Sequence, residues 1–221
     1  QSPENQIVTD KVWHELAFGL ESLGYDTPTI RRRVAEMASF FGIQTWFYKS
    51  VTELSGGQKQ LLNLASVMVL QPKVLILDEP TSQLDPIAAS DFLATLGKIN
   101  RELGTTIILT EHRLEEAFSF ASRVAVMDGG RLLCSGTPAE VGAELKASGN
   151  AMFLAMPAAM RIWVATDSKA GCPISVCDGR NWLLEYAKTH ELKPIPEENI
   201  NTPDTEIVVS ARELWFKYDK D

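Results

Sequence analysis

The feature that most limits the possible folds is a pair of short apolar runs separated by one amphipathic helix. The first run, Val74–Leu77, lies between two prolines without a polar interruption, which predicts a strand buried on both faces. The second, Thr105–Thr110, is rich in β-branched residues. A helix from Pro86 to about Leu103 joins them. This order favours a right-handed βαβ crossover, and hence a parallel sheet in an α/β domain.

Upstream of these strands the pattern is helical. Apolar residues recur at helical spacing from Thr9 to Leu23, from Thr27 to Phe41 and from Ser55 to about Leu70. Thr27 is the expected N-cap of the second helix, with Pro28 in its first turn. We therefore expect a helical lobe beside the sheet.

Downstream of these two strands, predicted helices and strands follow one another in turn. The predicted elements are a short helix from Arg113, strand Arg123–Met127, a tight turn at 128–130, strand Arg131–Ser135, and a helix opened by a capping box of Thr137 and Glu140. Beyond residue 150 we expect an apolar segment (Phe153–Trp163), a helix near Arg180–His190, a linker from Pro194 to Pro203, and a further strand over 206–218.

Composition excludes several classes of protein. The 221 residues carry a formal charge of −8, which argues against a dedicated nucleic-acid binder because such a protein needs basic patches. No apolar run approaches the roughly 18 residues needed to cross a bilayer. The three cysteines are odd in number and fit no paired metal spacing, which favours reduced thiols in the cytosol.

A first candidate site is the segment Ser55-Gly56-Gly57-Gln58 at a helix start. Glycines allow another backbone to approach closely, and free N–H groups at a helix N-terminus favour an anion. The same segment also fits a glycine-rich cap without a ligand, and the residues alone do not separate these alternatives.

A second candidate site lies where the two strands end. Asp78 and Glu79 follow the first strand, and His112 comes two residues after the second. Because the carboxyl ends of parallel strands share one edge of a sheet, these side chains are expected in one crevice. Carboxylate oxygens suit Mg²⁺, and a histidine there could contact a transferred phosphoryl group. The alternatives are a solvated turn and a surface histidine.

These motifs together resemble the nucleotide-binding subunit of an ABC transporter. LSGGQKQ at Leu54–Gln60 resembles the signature motif, VLILDEP the Walker B strand, Ser82–Asp85 the D-loop, Thr110–His112 the switch-histidine region, and Gln1 the Q-loop glutamine. Gln83 stands where the family usually has alanine. The resemblance covers residues 1–142.

The resemblance implies roles for single residues. Glu79 and His112 would be catalytic, and Asp78 and Gln1 would hold Mg²⁺. ATP would be bound by Gln1, Ser55, Gly56, Gly57, Gln58, Asp85 and Tyr218. Tyr218 would be the adenine-stacking aromatic of a second cassette, or alternatively a half-buried aromatic residue of a strand. The cofactors implied are ATP and Mg²⁺.

The implied fold is an α/β, partial P-loop NTPase core with a parallel sheet and a helical lobe, incomplete at its N-terminal side, because no GxxxxGK[ST] loop occurs. The expected regions are 1–72 (Q-loop and helical lobe), 73–150 (Walker B to switch histidine), 151–205 (extension and linker) and 206–221 (first strand of a second cassette). We expect such a fragment to be marginally stable and inactive alone.

The segment after Gln1 is similar to energy-coupling factor (ECF) transporter ATPases, which take up vitamins or metal ions. The implied partners are a second cassette and transmembrane subunits, with no nucleic acid, at the cytoplasmic face of the cell membrane. Acidic positions of the lobe could receive basic helices of those subunits, or form a solvated face: Glu4, Asp10, Glu15 and Glu21. Alternatives are a non-transport tandem ABC ATPase and a degenerate cassette that binds without hydrolysis.

Overall fold

The computed structural model describes residues 5–166, 168, 171–190 and 210–215. Within them the helices are α1 (Val12–Ser22), α2 (Thr27–Phe40), α3 (Gly56–Met68), α4 (Pro86–Lys98), α5 (Leu114–Phe120), α6 (Pro138–Ser148), α7 (Ala158–Ala165) and α8 (Val176–Thr189). The strands are β1 (Val74–Asp78), β2 (Thr106–Thr110), β3 (Val124–Asp128) and β4 (Arg131–Gly136).

β1 and β2 form the predicted parallel pair, in register from Val74 opposite Thr106 to Asp78 opposite Thr110. α4 connects them and continues through one π-helical turn, Ile99–Leu103, to Gly104 at φ +67°. A glycine suits this end because a left-handed residue with a side chain is strained. The crossover therefore brings the ends of the two strands side by side.

The expectation that the first strand is buried on both faces is wrong for the described residues. Leu75 packs into the core at 6% exposure, whereas the other face leaves Ile76 at 72% and Ile108 of β2 at 53%. Alternate residues of a strand point to opposite faces, so a continuous apolar run does not reveal whether another layer covers the second face. Only one face of this pair is covered by described residues.

One apolar core unites the helical lobe with the sheet. Leu16 and Leu20 of α1, Leu62 of α3 and Leu96 of α4 are fully buried in it, and Leu75 of β1 joins them. α3 packs against α1, α2 and α4, so it links the lobe to the crossover helix.

Two expectations about the lobe need correction. The N-cap of α2 is Asp26 rather than Thr27, because the Asp26 carboxylate accepts the N–H of Thr29. Glu15 is not part of an acidic docking face: it is buried, and its Oε2 accepts the backbone N–H groups of Val8 (3.1 Å) and Thr9 (2.8 Å).

A second core lies under the β3–β4 hairpin. The two strands are antiparallel with a bulge between Val126 and Met127, and Phe118, Val126, Val141 and Met160 pack together beneath them. The predicted capping box opens α6: Thr137 Oγ1 accepts the N–H of Glu140, and Glu140 Oε2 accepts the N–H of Thr137.

The last described segments match the sequence expectations in part. The predicted helix near Arg180–His190 is α8, which begins earlier, after the capping pair of Ser175 and Asp178. Residues 210–215 contain no strand, and the rest of the predicted strand, like the predicted linker, lies outside the described residues. Among the described helices, none has the length and apolar character required to cross a membrane.

Candidate functional site

Three side chains converge where β1 and β2 end. His112 Nε2 lies 3.0 Å from Glu79 Oε1, and Asp78 occupies the last paired position of β1, opposite Thr110. The Glu79 and His112 side chains are 50% and 82% exposed, so both are open to a ligand. The structure thus brings together the carboxylates and the histidine that the sequence predicts at one sheet edge.

Glu79 has an uncommon backbone conformation. Its φ is +43°, in the left-handed region that residues other than glycine seldom adopt. Its N–H is held by two acceptors of the neighbouring strand, the Thr110 carbonyl at 3.1 Å and the Thr110 hydroxyl at 3.0 Å. A strained residue at a strand end persists only when its surroundings fix it, and such residues cluster at functional sites.

The loop that carries His112 is fixed by two residues that the sequence reasoning did not single out. Thr81 is 1% exposed, and its hydroxyl donates to Glu111 Oε2 at 2.7 Å. Glu111 Oε1 accepts the backbone N–H groups of His112 (2.9 Å) and Arg113 (3.1 Å). The loop after β1 is therefore bonded to the loop after β2. The available signal was a polar residue directly after the predicted Walker B motif, Thr81, and a carboxylate inside the predicted switch-histidine region, Glu111.

The segment Ser55–Gln58 forms the start of α3. Ser55 Oγ accepts the N–H of Gln58 at 3.3 Å, and Gln58 Oε1 accepts the N–H of Ser55 at 3.0 Å. Both side chains therefore serve a capping box, which shapes the helix start where N–H groups favour an anion. Gln60 joins this helix to the first site, because its Nε2 donates to the Pro80 carbonyl at 3.1 Å.

The two glycines of this segment have different surroundings. A Cβ on Gly56 would meet nothing within 4 Å, whereas a Cβ on Gly57 would lie 3.2 Å from Ala88 Cβ of α4. Gly57 therefore permits close packing of two helices, and Gly56 leaves open space in front of the helix start.

The remaining predicted site residues are accounted for as follows. Asp85 caps α4, since its Oδ1 accepts the N–H groups of Ile87 (3.0 Å) and Ala88 (2.9 Å). Gln1 and Tyr218 lie outside the described residues.

The carboxylates of the first site fit a nucleotide-bound magnesium ion. Asp78 Oδ1 accepts the Thr110 hydroxyl at 2.6 Å, so the second oxygen remains for an ion. Across the described residues no group of three or more His, Cys, Asp or Glu side chains could hold a metal alone. Mg²⁺ commonly takes one or two carboxylates together with substrate phosphates and water, so this sparse donor set suits it.

The segment after residue 150 contacts the helix that follows His112. Glu115 Oε1 of α5 accepts the N–H of Ala158 at the start of α7, at 2.7 Å. A cleft of about 310 Å³ between them is lined by residues that include His112, Arg113 and Arg161. The surroundings of His112 thus include both the sheet edge and this later segment.

Comparison with known proteins places these features in a family. The family model described as ABC transporter matches residues 3–82. A Bacillus cereus protein, named as a candidate ABC transporter ATP-binding protein, is 43% identical over all 221 residues, which cover 39% of its own length. The energy-coupling factor transporter ATP-binding protein EcfA1 of Caldanaerobacter subterraneus is 43% identical over 66% of this chain and 52% of its own length.

A solved structure agrees. The structure of cbiO1 from Clostridium perfringens, described as part of the ABC transporter complex cbiONQ, has a TM-score of 0.60 and 36% identity over 67% of this chain and 60% of its own. The chain spans well under two thirds of the curated Bacillus relatives that it matches. The matched motifs, the parallel βαβ unit and these relatives lead to one conclusion: the chain belongs to the ABC transporter ATPase family, with a P-loop NTPase-like α/β fold.

Proposed function

We propose that the protein containing this chain binds and hydrolyses ATP with Mg²⁺ and uses the energy to drive an ABC importer of the ECF type. The observation that carries the proposal is the Glu79–His112 pair, 3.0 Å apart beside Asp78 at the carboxyl edge of a parallel sheet. Ligands of open α/β sheets bind at this edge.

Each of the three side chains has a task in this reaction. Glu79 Oε1 orients the attacking water and accepts its proton. The single N–H of His112 Nε2 holds Glu79 Oε1 before the nucleotide binds and donates to the γ-phosphoryl group once it is bound. Asp78 offers its second oxygen to Mg²⁺, which neutralises phosphate charge when bound. The exposure of Glu79 and His112 leaves room for a nucleotide between them and solvent.

The start of α3 serves a second nucleotide in this proposal. Its capping box orders Ser55 and Gln58, and the open space in front of Gly56 admits a phosphate toward the helix N-terminus. We assign this phosphate to ATP held by a partner cassette. Gln1, Asp85 and Tyr218 are proposed to complete the nucleotide sites, as the family resemblance implies.

The helical lobe offers a surface for transmembrane partners. Trp13 is 40% exposed and Tyr48 80% exposed. The backbone N–H of Trp13 donates to the Phe47 carbonyl at 3.1 Å, which ties α1 to the loop before residue 50. Exposed aromatic residues on an ordered surface favour protein contacts. We propose that the transmembrane subunits dock here, at the inner face of the membrane, and that vitamins or metal ions are the cargo.

The test uses the natural full-length protein. We expect binding of a fluorescent ATP analogue, and phosphate release from ATP that requires Mg²⁺, stops with EDTA and rises when the transmembrane subunits are present. Tight ATP binding without phosphate release would favour the degenerate cassette. Hydrolysis with no transmembrane partner in pull-downs from membranes would favour a non-transport tandem ATPase. Absence of nucleotide binding would contradict the proposal.

A further inference from the structure

We propose that Thr110 is a positioning residue whose hydroxyl sets both the metal-binding Asp78 and the water-activating Glu79. This inference rests on the proposed ATPase function. It assigns a task to a residue at the end of β2 that touches neither nucleotide nor water in the proposed reaction.

The hydroxyl stands between the two acidic residues. It accepts the backbone N–H of Glu79 at 3.0 Å and donates to Asp78 Oδ1 at 2.6 Å. A hydroxyl has one proton and an ionised carboxylate only accepts, so the donor and the acceptor of both hydrogen bonds are fixed. Consecutive hydrogen bonds polarise one another, so the bond to Asp78 is strengthened by the bond from Glu79.

Each bond restricts a different degree of freedom. The bond to Asp78 Oδ1 restricts rotation of that carboxylate and keeps Oδ2 for the ion. The bond from Glu79 supports a backbone at φ +43°, a conformation that is costly for any residue with a side chain. Loss of the hydroxyl would free the carboxylate and weaken the hold on the Glu79 backbone together.

The same strand contains an internal comparison. Thr106 lies four residues earlier on the same exposed face of β2, opposite Val74. Its side chain makes no hydrogen bond within the part of the chain that the structure describes, so β-branching accounts for threonine there. At position 110, by contrast, the hydroxyl makes two hydrogen bonds, one as acceptor and one as donor.

The experiment compares Thr110→Val, Thr110→Ser and Thr106→Val in the natural full-length protein. Valine keeps the shape and β-propensity of threonine and removes only the hydroxyl, while serine keeps the hydroxyl. Two readouts are measured: the kcat and KM of ATP hydrolysis, and Mn²⁺ affinity by electron paramagnetic resonance with a non-hydrolysable ATP analogue. Thermal unfolding of each variant controls for folding.

We expect Thr110→Val to lower kcat and Mn²⁺ affinity each by about 10- to 100-fold, the usual effect of losing a hydrogen bond to a charged group, while the KM for ATP changes little. Thr110→Ser should stay within about threefold of wild type in both readouts, and Thr106→Val should match wild type.

Two results would overturn the inference: Thr110→Val behaving like Thr106→Val, or Thr110→Ser losing as much as Thr110→Val, which would assign the effect to the methyl group. A wild type that releases no phosphate would refute the proposed function instead. The Mn²⁺ titration would then still show whether the Thr110 hydroxyl positions Asp78 for the metal ion.

Discussion

Glu111 and Thr81 fix the backbone of the loop that contains His112, so the histidine contacts Glu79 from an ordered loop. The carboxylate of Glu111 accepts two N–H groups of that loop and the hydroxyl of buried Thr81. The sequence predicted Asp78, Glu79 and His112 at this edge but not these supports. Threonine and glutamate occur in many roles, and only the paired strand ends show which groups they reach.

Replacement of His112 by alanine tests the pair directly. The variant loses the Nε2 atom 3.0 Å from Glu79, and we expect kcat to fall by about 100-fold with ATP binding retained. His190→Ala is the matched control, because His190 is exposed directly after α8, where it stacks on Tyr186. Steady-state hydrolysis measures both. A His112→Ala enzyme with half of the wild-type kcat would refute the assignment.

Burial of the cysteines predicts the order in which a thiol reagent labels them. Burial raises the pKa of Cys172 from 9.0 to about 11, and burial also raises the pKa of Cys134. A raised pKa keeps the thiol protonated, so the reactive thiolate of Cys172 near pH 8 is roughly 100-fold rarer than in a free cysteine. We expect iodoacetamide to label exposed Cys177 first, as peptide mass spectrometry would show.

The raised pKa of Cys172 also predicts how the stability of the folded protein depends on pH. Because the folded protein disfavours the Cys172 thiolate, its free energy of unfolding should fall as pH rises from about 9 to about 11. Cys172→Ser should reduce this dependence. Labelling of Cys172 before Cys177 in the folded protein would contradict the burial seen here.

At the scale of elements, adjacent glycines at the start of α3 should respond differently to alanine. Gly57→Ala places a Cβ 3.2 Å from Ala88 Cβ, and the strain of this tight contact offsets the helix-propensity gain of alanine, so the free energy of unfolding should be lower than that of Gly56→Ala. Gly56→Ala meets no neighbour and should raise it by about 0.5 kcal/mol through helix propensity.

The two glycine variants should also differ in ATPase activity. Gly56→Ala fills the space proposed for a phosphate, so we expect lower ATPase activity in a protein at least as stable as wild type. Urea unfolding and phosphate release, measured on the same samples, check both claims. Full activity of Gly56→Ala would argue against a phosphate at this helix start.

Elements were predictable where local chemistry decides them. The order β1–α4–β2 follows from the apolar periods, and the cap of α6 follows from Thr137 and Glu140. The cap of α2 was predicted one residue too late, because Asp26 and Thr27 both suit the position and only the geometry shows which side chain accepts the Thr29 N–H. Adjacent polar residues thus leave a helix start uncertain by one position.

At the scale of the whole molecule, the described residues form two cores and one sheet face without a cover. The lobe and the β1–β2 pair share the first core, and the β3–β4 hairpin with α5–α7 encloses the second. Val74, Ile76 and Ile108 remain exposed on the open face. Burial of a sheet face depends on which other part of the chain lies over it, so residue periodicity could not predict this exposure.

The regional boundaries at residues 72, 150 and 205 remain predictions. The shared first core shows that the lobe and the sheet pack as one unit within the described residues, whereas the boundary at 205 lies outside them. The family resemblance came from the order of motifs along the chain, and the comparisons with known proteins confirm it. The family resemblance also implied the class of partners, whereas no motif of these residues identifies one cargo.

The most direct test of the central claim is single-turnover phosphate release by the natural full-length protein with Glu79→Gln. The amide keeps the shape of the side chain but cannot accept a proton from water. We expect release at less than about 1% of the wild-type rate with ATP binding intact, whereas Glu102→Gln, an exposed control after α4, should match wild type. Wild-type release by Glu79→Gln would contradict the account.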